Sequence, residues 1–294
     1  MGTQCADLLP VAGPDLLTHS AVLPPIVIRF WDLAREHSIS FQQAAGNVCA
    51  ACDAAYGDQI AVYDSFMKAA LCEGLIPHQP QTTLARAAQA CQRAVVDNAK
   101  RIGHFASSIP VFRDFPNEDQ RILLMEKFFV CSMIHASKYF YKGDRYYCMP
   151  GEDSVQNCKY WIEVLGWDPD FMHFNDCFFA AVNDIGLTHT ERYLLLTVAL
   201  FSPDVTHVSS ITKRTMECSY AYFLSVLYYL LGHRLSVDER ETVYKKLEKV
   251  IRQFPIIDNL SVKYLSSVNT SAAPLRPRSL LSFKECLPED AKET

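Results

Sequence analysis

Leu84, Ala88, Cys91, Val95, Ala99, Ile102, Ala106 and Ile109 recur at steps of three and four, the apolar stripe of a long amphipathic helix. Thr83 is placed to accept a hydrogen bond from its first turn, and Pro110 supplies the stop. A second helical pattern follows at once. After a short apolar connection through Val111, Phe112 and Phe115, Asn117 can cap it, with Glu118 and Asp119 in the first turn where the helix dipole favours acids. Leu123-Leu124-Met125, Phe128-Phe129-Val130-Cys131 and Met133-Ile134 put apolar groups on nearly every side of this second helix, so it needs cover on opposite faces. Two long helices joined at a tight corner, one of them wrapped in others, commit the chain to a layered helical fold.

The same stretch carries an ordered set of anchors: Phe105, Ala106, Ser107, Phe112, Phe115, Asp119-Gln120 and Leu123-Leu124. In order and spacing these resemble the signature of the nuclear receptor ligand-binding domain. That signature runs aromatic, Ala, basic, four variable residues, Phe, two more, an apolar anchor, three more, Asp-Gln and, after two further positions, Leu-Leu. Phe115 stands where an aliphatic is usual, and Ser107 stands where Lys or Arg is usual. Gly186-Leu187, Glu191 and Leu200-Phe201-Ser202-Pro203-Asp204 are similar to a later helix of the family and its exit loop. The resemblance covers residues 25–288 and implies an all-α, three-layer antiparallel helical sandwich with one small β-turn.

Elsewhere the pattern reads as follows. Pro10, Gly13, Pro14 and Pro24 suggest a flexible lead over 1–24, and residues 289–294 a tail. Helices are expected near 25–37, 40–54 and 59–73. Two aromatic runs around Lys142-Gly143-Asp144 form a hairpin signal at 139–148, where the family has its β-turn. Helices are expected again at 152–165 and 169–185, then after a Thr188/Glu191 capping box, then at 209–231. From Ser236 a further helix shows Val243, Leu247, Val250 and Phe254 on one face until Pro255 ends or kinks it. By resemblance, 236–268 corresponds to the family's dimer surface. Pro274 to Pro277 form a linker into Ser279–Leu287.

With 294 residues, of which 49% are hydrophobic, the chain can bury one large core. A net charge of −5 offers no basic footprint for a nucleic-acid backbone, so no direct DNA binding by this chain is expected. The longest apolar run, Tyr220 to Leu231, is too short to cross a bilayer, and no secretory leader pattern opens the sequence. The 11 cysteines are accordingly expected to be reduced thiols. Cys49-Ala50-Ala51-Cys52 is the single pair with zinc-finger spacing, so a complete zinc module of the receptor type is absent. The pair reads as buried core thiols, with a degenerate finger or an adventitious metal site as the alternative. No metal or cofactor is assigned. No nucleophile elbow, phosphate-cradling loop or zinc-protease His pair appears, which points away from an enzyme. Asn183-Asp184 with Glu191 matches a metal motif of terpene synthases only in part, since Leu187 replaces its hydroxyl residue.

The resemblance implies two sites. A ligand pocket between the two long helices would involve Cys91, Val95, Phe128, Met133 and Tyr139. Tyr139 occupies the place where many receptors carry an Arg, and a phenol cannot form the charged fork that holds a carboxylate. The alternative is a pocket filled by aromatic side chains. A coregulator groove would hold a Leu-x-x-Leu-Leu helix between Ser107 and Glu285, the latter on a terminal helix over 283–287, with Arg121 as a substitute cation; an ordinary amphipathic end is the alternative for that tail. Leu227-Tyr228-Tyr229-Leu230-Leu231 matches a docking motif but lies in an apolar run expected to be core. By resemblance, then, the chain is a transcription regulator of the nucleus, and also of the cytoplasm, that couples a lipophilic ligand, or none, to a coactivator or corepressor helix. Its alternatives are a corepressor-like partner that dimerises with other receptors and, from another class, a helical lipid carrier or enzyme.

Overall fold

The computed structural model describes residues 41–73, 83–148, 155–158 and 169–259. The chain divides into units Met1–Ile39 and Ser40–Thr294, and every described residue belongs to the second. The expected lead, the helix near 25–37, the linker and the terminal segment with Glu285 lie outside the described residues.

Helix α1 is Phe41–Glu73, a single helix where two were expected. Gly57 does not break it. Val48, Cys52, Tyr56, Gln59 and Tyr63 continue one buried face straight across the glycine, and their packing outweighs the roughly 1 kcal/mol a helical glycine costs. Helix α2 is Leu84–Ser107, with the Thr83 side chain accepting from Arg86 N at 3.4 Å as expected. The first half of its stripe is turned relative to expectation. Leu84 is 61% exposed, and Ala87, Ala90 and Ala94 face inward instead. Alanines suit that face because Tyr147 and Cys158 press against Ala90 and Ala94. From Ala99 onward the expected positions Ile102 and Ala106 are buried, joined by Phe105.

Pro110 ends α2 and opens the one-turn helix α3, Pro110–Arg113, at a position where its missing N–H costs nothing. Helix α4 is Asn117–Ser137; Asn117 is itself helical and Pro116 precedes it, so the expected side-chain cap does not form. Leu123, Leu124, Phe128, Val130, Cys131, Met133 and Ile134 are all buried, which covers α4 on several sides as its sequence requires.

Strands β1, Phe140–Tyr141, and β2, Asp144–Cys148, pair antiparallel across Lys142 and Gly143. Both turn residues have positive φ, 52° and 83°, the twist a two-residue hairpin prefers. A third strand, β3 at Val155–Asn157, pairs with β2 where a helix was expected. Val155 and Asn157 alternate inward around Gln156, a period of two that the helical reading overlooked. The expected β-turn is therefore a three-stranded sheet in the order β1-β2-β3.

Helix α5, Pro169–Asp184, ends before Gly186 at φ 70°. Helix α6, His189–Leu200, begins with the expected capping box of Thr188 and Glu191 and is buried from Tyr193 to Leu200. Helix α7, Ser210–Arg234, is capped by Ser209. Helix α8, Val237–Ile251, opens with a second capping box, Ser236 and Glu239. Its inward face is Tyr244, Leu247 and Val250, so Tyr244 takes the place expected of Val243. The chain turns at Arg252 and Gln253, and a helical stretch carrying Pro255 in its first turn follows. Helix α4 packs against α2, α5 and α6, and α6 in turn against α1 and α7. Leu227, Tyr228 and Leu231 of the docking-like motif are core. Among the described residues no helix is long and apolar enough to cross a membrane.

Candidate functional site

Where α1, α4 and α6 meet, the interior holds a polar centre inside an aromatic shell. His135 of α4 is 2% exposed. Its Nδ1 lies 2.9 Å from Tyr193 Oη and its Nε2 lies 2.9 Å from Gln59 Oε1. Gln59 donates its amide N–H to Cys148 O at 3.3 Å, so its oxygen faces the imidazole. The network then assigns the proton to Nε2 and leaves Nδ1 to accept from the Tyr193 hydroxyl. Burial, with Lys138, Arg101, Arg192 and His189 adding to it, holds the imidazole well below its ordinary pKa, so it is neutral. Tyr56 stacks on the ring at 4.1 Å and Tyr139 meets it edge-on at 5.0 Å. The hydroxyls of Tyr56, Tyr63 and Tyr139 are buried with no hydrogen-bond partner among the described residues.

The expected pocket residues divide. Tyr139 joins this centre, with its ring 4.0 Å from that of Tyr63. Phe128 and Met133 are buried on α4, and Phe128 packs edge-on against Phe129 at 5.2 Å. Cys91 and Val95 are half-buried on α2. The residues the sequence did not single out are His135, Tyr193, Gln59 and Tyr56, which lie on three helices far apart in the chain. Of the groove residues, the Ser107 hydroxyl turns back to Gly103 O at 2.8 Å, and Arg121 donates to Glu118 at 3.0 Å and to Met125 Sδ at 3.3 Å. Glu285 lies outside the described residues.

The two polar signature residues act at joints. Gln120 Nε2 donates to Phe115 O at 2.8 Å and Arg113 O at 3.3 Å, closing the corner between α3 and α4. Asp119, 6% exposed, accepts from Thr212 Oγ1 at 2.6 Å, Ser209 Oγ at 2.7 Å and Ser209 N at 3.2 Å, tying α4 to the start of α7. Burial pushes its carboxyl up, but these donors outweigh it and hold it below the ordinary range. About two turns on, Lys127 buries its ammonium against Asp258 at 3.0 Å and Asp204 O at 3.2 Å.

A second polar cluster lies at the start of α6. His189 Nε2 is 3.5 Å from Cys52 Sγ and 3.6 Å from Asp53 Oδ1, with Cys49 alongside. Burial pushes the Cys52 thiol up to about 12, against a smaller lowering by the Tyr193 hydroxyl. Asn183 and Glu191, in contrast, have structural partners: Asn183 donates to Ser137 O at 2.8 Å, and Glu191 serves the capping box and accepts from Arg234 at 2.9 Å. The partial metal motif is therefore two joints.

No family model matches the chain. It is similar to nuclear receptor subfamily 1 group I member 3 of Macaca mulatta, 26% identical over 133 residues, which is 44% of this chain and 38% of that receptor. The human protein of the same name matches over the same 133 residues at 26% identity. The match spans little more than a third of the length of these relatives. This mostly helical chain thus carries a nuclear receptor-like region.

Proposed function

We propose that residues 25–288 form a three-layer antiparallel sandwich of the nuclear receptor ligand-binding type, and that it regulates transcription by holding a coregulator helix under the control of its terminal segment. The observation that carries this reading is the joint made by Asp119 and Gln120. Gln120 closes the corner between α3 and α4 and Asp119 ties α4 to the start of α7, so both polar residues of the twenty-residue signature carry structural bonds, which supports the resemblance. The similarity to receptor sequences supports the same kind of protein. A ligand, where one binds, would be lipophilic with neutral oxygens. A neutral imidazole and three phenols without a partner among the described residues offer hydrogen bonds, while the nearby cations are held elsewhere, Arg101 by Asp58 and Asp97, Lys138 by Asp64 and Arg192 by Ser137 and Asn183. The aromatic packing at His135 favours a second reading, a domain whose interior is complete without ligand. Tyr139 and His135 would move apart in the first case and stay in contact in the second.

Peptide titration tests the groove. Ser107 leaves the family's basic clamp without its charge, and Arg121 is already held by Glu118. Ser107→Lys is expected to strengthen binding of a Leu-x-x-Leu-Leu peptide by about 0.5–1.5 kcal/mol, roughly 2- to 13-fold, through the carbonyls at the peptide helix's C-terminus. Glu285→Ala is expected to weaken it by a similar amount. Unchanged affinity in both variants would remove the groove and favour the corepressor-like dimerisation partner.

A further inference from the structure

Three potential ligands on one turn of α1 meet a fourth from the start of α6. Cys49, Cys52 and Asp53 stand at i, i+3 and i+4, so they share a face of the helix. His189 is the first residue of α6, where the Thr188/Glu191 capping box fixes the geometry of the turn, and α6 packs against α1. One ligand atom each of Cys49, Asp53 and His189 lies within 4.8 Å of the others. Cys52 Sγ and Asp53 Oδ1 face the same imidazole nitrogen, Nε2, at 3.5 and 3.6 Å. Around a tetrahedral zinc, with sulfur at about 2.3 Å and nitrogen or oxygen at about 2.0–2.1 Å, neighbouring S···N and N···O atoms are separated by about 3.6 and about 3.3 Å. These two separations need shifts of only a few tenths of an ångström to meet that geometry, while Cys49, within 4.8 Å of His189 and Asp53, closes on the ion by a side-chain movement of up to about 1 Å.

We propose that Cys49, Cys52, Asp53 and His189 form a binding site for a zinc-class divalent ion that staples α1 to α6. Two sulfurs and an imidazole select a thiophilic ion over magnesium or calcium. Two thiolates and a carboxylate carry one negative charge more than the ion neutralises, which the solvent-exposed side of the site can screen. Access is open from the solvent side, since the His189 and Asp53 side chains are 35% and 65% exposed, while Cys52 forms the buried floor. With all four positions supplied by protein, the site is structural in type. It does not depend on the regulatory reading above.

The test uses the full chain, stripped with a chelator and kept reduced by a non-thiol reductant, then titrated with cobalt(II). The expected result is a thiolate-to-cobalt charge-transfer band with intense tetrahedral visible bands, complete at one equivalent and displaced by zinc. His189→Ala and Asp53→Asn change solvent-accessible side chains, and helical circular dichroism would verify that both retain the fold. Each is expected to weaken zinc at least about tenfold. Cys49→Ser is expected to lose much of the charge-transfer intensity and the zinc-dependent rise in melting temperature. Absence of the thiolate band in the wild type, or the same spectrum and zinc affinity in all three variants, would overturn the site.

Discussion

Asp258→Ala is expected to remove about 3–5 kcal/mol of stability, because it leaves the Lys127 ammonium charged and unpaired in the interior. Lys127 is 1% exposed, and its remaining contact, the Asp204 carbonyl at 3.2 Å, cannot replace a carboxylate. Lys127→Met is expected to cost about 0–2 kcal/mol, since it removes the charge and fills the space with an apolar stem of similar length. Asp258 can tolerate that loss by taking a proton. Burial, against the lowering effect of Lys127, already raises its carboxyl to about 6. This raised folded pKa means that the proton-linked part of the Asp258 contribution is complete below the unfolded carboxylate value of about 3.9 and is lost as pH rises through about 6, where the bond to Lys127 stands against the desolvation of the ionised carboxylate. Urea unfolding of both single variants and the double variant measures the coupling. An Asp258→Ala stability within about 1 kcal/mol of the wild type would show that the pair is solvated and that Lys127 is not left uncompensated in the interior.

The helices were legible in the sequence wherever a cap or stop residue coincided with a period of 3.6. Thr83, Pro110, Thr188-Glu191 and Ser236 each mark an observed boundary within a residue or so. Elements whose fate depended on a distant partner were not legible. Gly57 reads as a break until the buried faces of α1 on either side of it are seen to continue. Val155–Asn157 reads as helix until the free edge of β2 supplies a pairing partner. The candidate sites divide in the same way. Asp119 and Gln120 could be found because their spacing is local, although their partners Ser209 and Thr212 lie some ninety residues on. The His135 centre and the joining of His189 to Cys49 and Cys52 could not, because each links helices separated by many tens of residues and no spacing rule spans that gap. From the sequence, Cys49-Ala50-Ala51-Cys52 reads as buried core thiols with a metal site as the alternative; what favours the alternative is Asp53, next to the pair, and His189 on another helix, which come within 4.8 Å of Cys49.

His135→Gln is expected to lose about 2–4 kcal/mol at neutral pH, and that deficit should shrink as pH falls. Glutamine removes the Tyr56 stack and the edge contact with Tyr139, and it cannot hold both Tyr193 and Gln59 in the imidazole's geometry. The pH term follows from the imidazole's neutrality. Burial holds its folded pKa well below 6.5, so below about pH 6.5 the unfolded chain takes up a proton that the native chain refuses. This contribution is therefore complete above the unfolded value and is lost as pH falls towards the folded one. Its slope is at most about 1.4 kcal/mol per pH unit. His189, whose pKa burial also lowers, adds a slope of the same sign, and Asp258 adds one of opposite sign over about pH 4–6; both persist in the variant and cancel from the difference. Denaturant unfolding of wild type and His135→Gln from about pH 7.5 to about pH 5.5 reads that difference. A gap that stays constant through this range would mean that His135 is protonated or reaches solvent in the native state, and the sealed aromatic interior inferred from its surroundings would be wrong.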